Sequence, residues 1–155
     1  MTKIVSLEEA EIKELATKSR TSARGRELLI KRSAISENTI PSFMINALQP
    51  GTYIRPHKHP EEGREILMHL DGLMKVVTFD ESGNIEGVYE LSSKRNRLIE
   101  IPAMTYHTAI AFSADSVLAD LYLKVYDPTS YKIFAPFAPP EADKERSKDY
   151  LESLI

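Results

Sequence analysis

The middle of the chain, residues 27–125, consists of short apolar runs separated by turn residues. The runs are rich in Val, Ile, Leu, Tyr and Phe, and their regular interruption predicts β-strands. Asp71-Gly72 lies between the runs EILMHL and LMKVVTF, and a two-residue Asp-Gly loop favours a type I′ β-hairpin. We expect further hairpins around DESGN at residues 80–84 and within IEIPAMTYHTAIAF at residues 99–112.

Amphipathic segments flank this β-rich region on both sides. Ser6 and Glu9 have capping-box spacing and predict a helix from residue 6 to about residue 18, packed outside the strands. Its apolar face consists of Ile12, Leu15 and Ala16. After the aromatic, proline-rich stretch YKIFAPFAPP, the charged segment EADKERSKDYLESLI predicts a closing helix. We expect a single domain with three parts: an N-terminal helical extension (1–25), a β-rich body (26–128) and an aromatic, proline-rich segment with the C-terminal helix (129–155).

Composition and charge narrow the possible functions. The 155 residues suit one domain, and 20 Lys and Arg against 23 Asp and Glu give a formal net charge of −3. The basic excess of a nucleic-acid-binding domain is missing, so nucleic acid is not an expected partner. No apolar run approaches the roughly 18 residues of a membrane span, and the polar start does not resemble a signal peptide, so we expect no membrane association and a cytoplasmic location. The absence of cysteine excludes thiolate chemistry and leaves nitrogen and oxygen as metal ligands.

Three histidines and one glutamate form the strongest candidate for a metal site. His57 and His59 are two residues apart, and in an extended segment such residues point to the same side, so both imidazoles can face one ion. A strand returning antiparallel to this segment would bring Glu65 to the pair, and His107 can join from a neighbouring sheet. Three imidazoles and one carboxylate suit a divalent Fe, Mn, Ni, Co or Zn ion. The alternative, and the commoner case for an isolated His-x-His, is a pair of core or surface histidines without a metal.

The spacing around these residues resembles the first motif of the cupin superfamily, G-x5-H-x-H-x3,4-E-x6-G. The matching residues are Gly51, His57, His59, Glu65 and Gly72. The second motif of the superfamily is half matched, by Pro102 and His107. The resemblance implies an all-β fold, a double-stranded β-helix or jelly-roll-like cupin barrel with short N- and C-terminal helices.

The chain departs from the first motif in the position of its glutamate. Five residues separate His59 from Glu65, where the motif has three or four, so Glu61 and Glu62 are alternatives. Only Glu65 keeps the six-residue gap to Gly72, and strand register counted back from that turn favours Glu65 as the ligand.

At a finer level, residues 24–141 resemble the WbuC-type family of cupin-fold metalloproteins, found in bacteria and often near surface-polysaccharide genes. The resembling segments occur in the family's order: RGR, PGTYIRPHKHP, VVTFDESGNI, IPAMTYH and YDPTSYKIFAPFAPPE. The resemblance implies a metal-binding protein with a small polar ligand, such as a sugar or sugar acid, and a role in polysaccharide biosynthesis.

Four residues are candidates for substrate binding. Tyr53 and Arg55 share strand parity with the two metal-binding histidines, and an inward-facing Arg55 would bind a carboxylate or phosphate. Arg24 and Arg26 can close one mouth of the barrel over an anionic ligand. The alternative for all four is a position at the solvated edge of the barrel.

His69 is a candidate catalytic acid or base. It shares strand parity with Glu65 and Leu67, and an imidazole titrates near neutral pH, at about 6.5. The alternative is a histidine whose hydrogen bonds are satisfied within the core.

Two function classes remain open. One is a metal-dependent enzyme, with isomerase, epimerase or lyase chemistry or Fe(II)-dependent oxygenase chemistry; the other is a non-catalytic cupin that binds a small ligand or holds a structural metal. Four protein ligands leave about two open positions on an octahedral ion, which favours chemistry. We also expect a homodimer, because exposed sheet edges and the apolar ends Ile4–Val5 and Leu154–Ile155 need cover.

Overall fold

The computed structural model of the protein describes residues 6–31, 42–123 and 129–155, and within them it contains ten strands and two helices. In chain order they are α1 (Glu9–Thr21), β1 (Arg26–Lys31), β2 (Ser42–Leu48), β3 (His57–Lys58), β4 (Glu65–Asp71), β5 (Leu73–Phe79), β6 (Ile85–Ser92), β7 (Leu98–Ile101), β8 (Tyr106–Ala111), β9 (Ser116–Tyr122), β10 (Ile133–Phe134) and α2 (Lys144–Glu152). No helix in these ranges is long and apolar enough to cross a membrane.

The strands form two five-stranded antiparallel sheets that enclose one apolar core. The first sheet has the order β1-β2-β9-β4-β7 and the second the order β10-β3-β8-β5-β6. Buried residues from both sheets meet between them: Leu48, Leu67, Met74, Val76, Leu91, Ile101, Ala109, Ala111 and Leu118. The predicted all-β, jelly-roll-like barrel with short terminal helices is therefore confirmed.

The predicted hairpin at Asp71-Gly72 is wrong, because this turn joins the two sheets instead of two paired strands. β4 pairs with β7 and β9, whereas β5 pairs with β6 and β8. Gly72 has a φ of 76°, and a Cβ there would lie 2.5 Å from the Ser116 Oγ, so glycine permits both the sharp bend and the close approach. Asp71 does not have the positive φ that a type I′ turn requires, so the predicted turn type is wrong as well. Closure of the barrel decides which strands pair.

The hairpin predicted within residues 99–112 fails for the same reason, since β7 belongs to the first sheet and β8 to the second. The hairpin around residues 80–84 is confirmed, because β5 and β6 pair directly. There Asp80 Oδ1 accepts hydrogen bonds of 2.8 Å from the backbone N–H groups of Ser82 and Asn84, which fixes the turn.

Helix α1 begins at Glu9, three residues later than predicted. The capping box pairs Glu8 with Glu11, whose side chain accepts a 2.9 Å hydrogen bond from the Glu8 backbone N–H, so the predicted Ser6–Glu9 box is wrong. The predicted apolar face is confirmed: Leu15 and Ala16 are buried against the outer face of the first sheet, where they meet Ile45, Ala47, Val117 and Ala119.

The C-terminal segment closes the other side of the barrel. Within it β10 pairs with β3, so residues after 128 contribute a strand to the second sheet. Helix α2 confirms the predicted closing helix; its Leu151 is buried beside Ala135 and Ala138, while Ile155 stays exposed. Ile4–Val5, expected to help form a dimer, lies outside the described residues.

Candidate metal centre

Neighbouring strands of the second sheet bring the three histidines together. His57 on β3 is the register partner of His107 on β8, and His59 follows directly after β3. All three side chains are buried, and one ring nitrogen of each lies within 4.8 Å of the others. The i, i+2 spacing of His57 and His59 therefore does place both rings on one side of the chain.

Each imidazole is oriented by a hydrogen bond from its Nδ1 to a backbone carbonyl. The acceptors are Arg55 for His57 at 3.0 Å, Tyr131 for His59 at 2.8 Å and Thr105 for His107 at 2.9 Å. Since a carbonyl only accepts, Nδ1 carries the proton and the Nε2 lone pair is left for another partner. This is the tautomer that a metal-binding histidine needs.

Glu65 reaches the histidines from the first sheet. Its Oε2 lies 2.8 Å from His107 Nε2 and its Oε1 lies 3.3 Å from His59 Nε2, yet neither approach has the geometry of a hydrogen bond. The expected return of this strand antiparallel to β3 is wrong, because β4 belongs to the opposite sheet. His107, expected from a neighbouring sheet, instead shares the sheet of His57.

The side chains fit a bound cation. Nε2 lone pairs that face a carboxylate at these distances repel it unless a positive charge lies between them. Burial lowers the pKa of His57 well below its ordinary value, so this ring is neutral at neutral pH. Burial alone would raise the pKa of Glu65, but the positive charge and N–H groups that His107 and His59 offer when protonated hold it well below its usual range, and a bound cation would act in the same direction. Three buried imidazoles can thus hold a metal ion, and a nitrogen-rich set with one carboxylate suits a transition metal or Zn better than Ca or Mg.

The other two glutamates of the preceding loop lie outside this group. Glu61 and Glu62 are exposed, whereas Glu65 is 3% exposed. Gly63 follows them at a point where a Cβ would lie 2.5 Å from the Tyr122 hydroxyl oxygen. The loop therefore takes up the additional residue of the motif and packs on the barrel through a position that only glycine fits.

Two tyrosines that sequence reasoning did not single out enclose His59. Its ring centroid lies 5.0 Å from that of Tyr122 and 4.7 Å from that of Tyr131, and the two tyrosine rings are 4.8 Å apart. They come from β9 and from the segment before β10, so only the tertiary fold brings them together. Their rings pack on His59 and limit the orientations that its imidazole can adopt.

Asp120 and Lys132 are further site residues that the sequence analysis missed. Asp120 on β9 is buried; its Oδ2 accepts a 3.5 Å hydrogen bond from the Tyr131 hydroxyl, and its Oδ1 has no partner among the described residues. Burial and the charge of Glu65 raise the pKa of Asp120 well above its usual range. Burial lowers the pKa of Lys132, and nearby Glu65 and Asp120 oppose that shift. A signal for Asp120 was present, since it is a lone carboxylate within the apolar strand SVLADLY.

Three cavities that share lining residues lie at and beside the centre. An inner cavity of about 60 Å³ borders His57, Glu65 and His107. An outer cavity of about 530 Å³ shares with it Asn46, Ile54, Asp120 and Lys132. A side cavity of about 350 Å³ borders Lys132, Ile54 and Phe134. These shared residues mark the route by which a small molecule reaches the histidines.

The four predicted substrate-binding residues surround or support this mouth. Arg24 and Arg26 line the outer and side cavities, and both form ion pairs with Glu141, at 3.1 and 2.8 Å. Arg55 lines the side cavity. Tyr53 does not face these cavities; its hydroxyl donates to the Pro139 carbonyl at 2.8 Å and its ring packs on α2.

The structure does not bring His69 to the centre. It lies four residues beyond Glu65 on β4, roughly 13 Å along the strand, and its Nε2 donates to the Gly72 carbonyl at 2.9 Å. Its strand parity was read correctly, but it lies at the far, turn end of the barrel. The geometry gives it a role in the turn and none beside the three histidines.

Comparisons with known proteins agree with this architecture. A family model described as Domain of unknown function (DUF6016) matches residues 7–91, more than half of the chain, and its match ends before His107. No curated protein matches the sequence.

Solved structures show the same fold at low sequence identity. KdgF from Halomonas sp. is 22% identical with a TM-score of 0.50, over 67% of this chain and 83% of that chain. A protein from Shewanella oneidensis is 10% identical with a TM-score of 0.57, over 73% and 76% of the two chains. Oxalate decarboxylase from Bacillus subtilis is 19% identical with a TM-score of 0.55, over 84% of this chain but only 34% of its own. At such identities the likeness establishes the fold alone, and the fold is that of the cupins.

Proposed function

We propose that this chain, which belongs to the family described as Domain of unknown function (DUF6016), binds one divalent metal ion and uses it to transform a small polar metabolite. The proposed ligands are His57, His59, His107 and Glu65. One observation carries the proposal: three imidazoles held by their Nδ1 atoms leave their Nε2 atoms to converge with a buried carboxylate. A Fe, Mn, Ni, Co or Zn ion fits this donor set.

A bound ion of this kind supplies Lewis-acid polarisation of a carbonyl or hydroxyl oxygen. The protein contributes the surroundings in which that polarisation is effective. Tyr122 and Tyr131 pack on His59 and hold its ring in place, and Asp120 offers to a hydroxyl of the metabolite a carboxyl oxygen that has no partner among the described residues. Lys132 and Arg55 add positive charge along the entry route. This arrangement suits isomerase, epimerase or lyase chemistry on an oxygen-rich molecule.

A sugar or sugar acid is the metabolite class we favour. The outer and side cavities, of about 530 and 350 Å³, are within the usual size of small-ligand sites. The resemblance to WbuC-type cupins supports a role in surface-polysaccharide biosynthesis, and oxalate decarboxylase, which by its name acts on a small carboxylic acid, has the same fold.

Elemental analysis of purified protein tests the metal ligands. We expect about one divalent ion per chain, and we expect His57→Ala and His107→Ala to lose most of it. His69→Ala is the matched control, since this histidine lies on a barrel strand away from the centre, and it should keep its metal. Full occupancy in both ligand variants would contradict the proposal.

Catalysis is tested separately from metal binding. Protein reloaded in turn with each candidate metal is incubated with sugars and sugar acids, and the mixtures are followed by NMR. Metal-dependent conversion that disappears in His107→Ala supports an enzyme. Saturable binding of a sugar acid without conversion by any metal form would instead identify a non-catalytic cupin.

A further inference from the structure

Lys132 lies where the three cavities of the barrel mouth meet. It lines the inner cavity beside the histidines, the outer cavity and the side cavity. Its Nζ forms no hydrogen bond or ion pair with any residue that the structure describes, and it lies 5.2 Å from the ring centroid of Tyr131. Lys132 is half-buried, and a partly desolvated ammonium without a hydrogen-bond partner is costly, so its place in this cavity indicates a partner that arrives with a ligand.

Arg55 supplies a second cation with unused binding capacity to the same side cavity. Its Nη2 donates to the Ala135 carbonyl at 2.9 Å and its guanidinium carbon lies 5.2 Å from the centroid of the Phe134 ring. Its buried Nε has no hydrogen-bond partner, and the described residues provide no carboxylate for its guanidinium. Stacking and the carbonyl fix the side chain while its charge remains uncompensated.

Arg24 and Arg26, the other two arginines of the mouth, differ from Arg55 because both already bind a carboxylate of the protein, that of Glu141. Arg26 Nη2 donates to both oxygens of Glu141, at 2.9 and 2.8 Å, and Arg24 Nη2 donates to Glu141 at 3.1 Å. The protein thus neutralises the two outer cations, Arg24 and Arg26. It leaves Lys132 and Arg55 without an ion pair among the described residues. In a chain with a net charge of −3, this positive site is local and specific.

We infer that the metabolite is a small carboxylic acid whose carboxylate binds between Lys132 Nζ and the Arg55 guanidinium, with its other end directed into the inner cavity. This inference rests on the proposed function only for the other end of the acid, which would react at the metal centre. A carboxylate is favoured over a phosphate because phosphate sites commonly use a helix N-terminus. Among the described residues the helices begin at Glu9 and Lys144, and neither residue lines these three cavities.

Calorimetric titration of metal-loaded protein tests the charge requirement. The probes are malonate, succinate and D-gluconate, each paired with a neutral counterpart: malonamide, succinamide and D-glucose. We expect at least one acid to bind, and its neutral counterpart to bind at least about tenfold more weakly, as expected for loss of a charged hydrogen bond. The inference is overturned if no acid binds, if the neutral counterparts bind equally well, or if inorganic phosphate binds more tightly than every acid.

Lys132→Met tests the residue itself, with Lys75→Met as the matched control. Lys75 is also a lysine over an aromatic ring, with its Nζ 4.2 Å from the Phe112 centroid, but it lines none of the three cavities. We expect Lys132→Met to weaken binding of the acid at least about tenfold, Lys132→Arg to retain most of it, and Lys75→Met to change nothing. The melting temperature of Lys132→Met should stay close to that of the parent, since Lys132 is half-buried and forms no ion pair with the described residues. Equal affinity in Lys132→Met, or equal loss in Lys75→Met, refutes the assignment.

The metal content of the same samples separates this inference from the proposed function. If the chain binds no metal but the acid still binds through Lys132, the carboxylate site stands and the proposed function fails. If the metal is present and Lys132→Met binds the acid like the parent, the proposed function stands and the carboxylate site fails.

Discussion

The two ends of the barrel interior differ sharply in how their side chains are satisfied. At one end, Met74 and Leu91 pack in an apolar layer, and both are 0% exposed. At the other end, buried polar atoms lack hydrogen-bond partners among the described residues. Five of the six such atoms lie there, namely His57 Nε2, His59 Nε2, Glu65 Oε2, Asp120 Oδ1 and Arg55 Nε, and the sixth, His69 Nδ1, lies at the turn end. The same two sheets thus build a stable core at one end and a reactive centre at the other.

The difference between the two ends of the barrel shows how stability and function are divided within one small fold. Unsatisfied buried polar atoms are rare in native proteins, so their concentration at one end indicates partners that are not part of the chain. The histidines at the two ends differ in the partner of their Nε2 atoms. His69 donates its Nε2 proton to a carbonyl at the turn end, whereas His57 and His59 leave Nε2 without a hydrogen bond beside Glu65.

The largest effect on stability is expected at the apolar end. Leu91 is completely buried between the sheets, and Leu91→Ala should lower the free energy of unfolding by about 2–5 kcal/mol through lost burial and a cavity. The exposed Leu98 is the matched control, and Leu98→Ala should change it by less than about 0.5 kcal/mol. Urea unfolding measures both, and equal losses would contradict the division between core and surface.

The next effect is expected at the polar end, in metal affinity. Glu65→Gln should weaken metal binding at least about tenfold, the scale of disturbing even outer partners of a metal site, because an amide replaces the one buried carboxylate of the group. Glu61→Gln and Glu62→Gln are matched controls in the same segment, and both should bind like the parent. Competitive chelator titration measures these metal affinities. Loss of metal by Glu62→Gln together with retention by Glu65→Gln would contradict the strand register that places Glu65 at the centre.

The sequence identified the parts of the site that depend on local geometry. The i, i+2 spacing of His57 and His59 and the six-residue count from Gly72 to Glu65 are properties of single strands, and the structure brings these side chains together with His107. Their role as metal ligands stays a prediction. The fold class followed in the same way from strand runs, turn residues and the cupin motif.

The parts that were missed depend on contacts between distant segments. The Asp71-Gly72 turn has the sequence of a hairpin turn, but its two strands enter opposite sheets because barrel closure determines their neighbours. Lys132 lines the inner cavity and comes from the segment that contributes β10, about 70 residues after His59. No local sequence pattern predicts that position. The helix cap shifted to Glu8 because two glutamates, at 8 and 11, form a better-placed pair than Ser6 and Glu9.

A smaller effect on the free energy of unfolding, dependent on pH, is expected at Asp115, whose carboxylate lies outside the barrel and has hydrogen-bond partners. Asp115 accepts hydrogen bonds from Arg20 Nε and Gln49 Nε2, both at 2.8 Å, and these partners lower its pKa to about 2. The unfolded pKa is about 3.9, so this stabilisation is present above about pH 4 and is lost as the pH falls through about 2. Asp115→Asn keeps a residue type that tolerates the positive φ of 57° and should cost less than about 1 kcal/mol at pH 7.

Urea unfolding at several pH values measures this effect, with Lys13→Gln as a control in an exposed ion pair of α1. The difference between Asp115→Asn and the parent should narrow between pH 4 and pH 2. A difference that stays constant over this range would show that the carboxylate charge does not link α1 to the barrel.

The last prediction concerns assembly and compares the outer faces of the two sheets. Its variant is expected to have the least effect on the stability of the single chain. Helix α1 covers the first sheet, whereas β6 is an edge strand of the second sheet and exposes about half of the side chains of Ile85, Val88 and Tyr89. An edge strand with unpaired backbone groups and apolar side chains favours pairing with a second copy, so we expect a homodimer. Light scattering should give about twice the chain mass of 17.5 kDa. Val88→Lys should restore the single-chain mass while leaving metal content unchanged, and a parent protein that remains at 17.5 kDa at high concentration would refute the dimer.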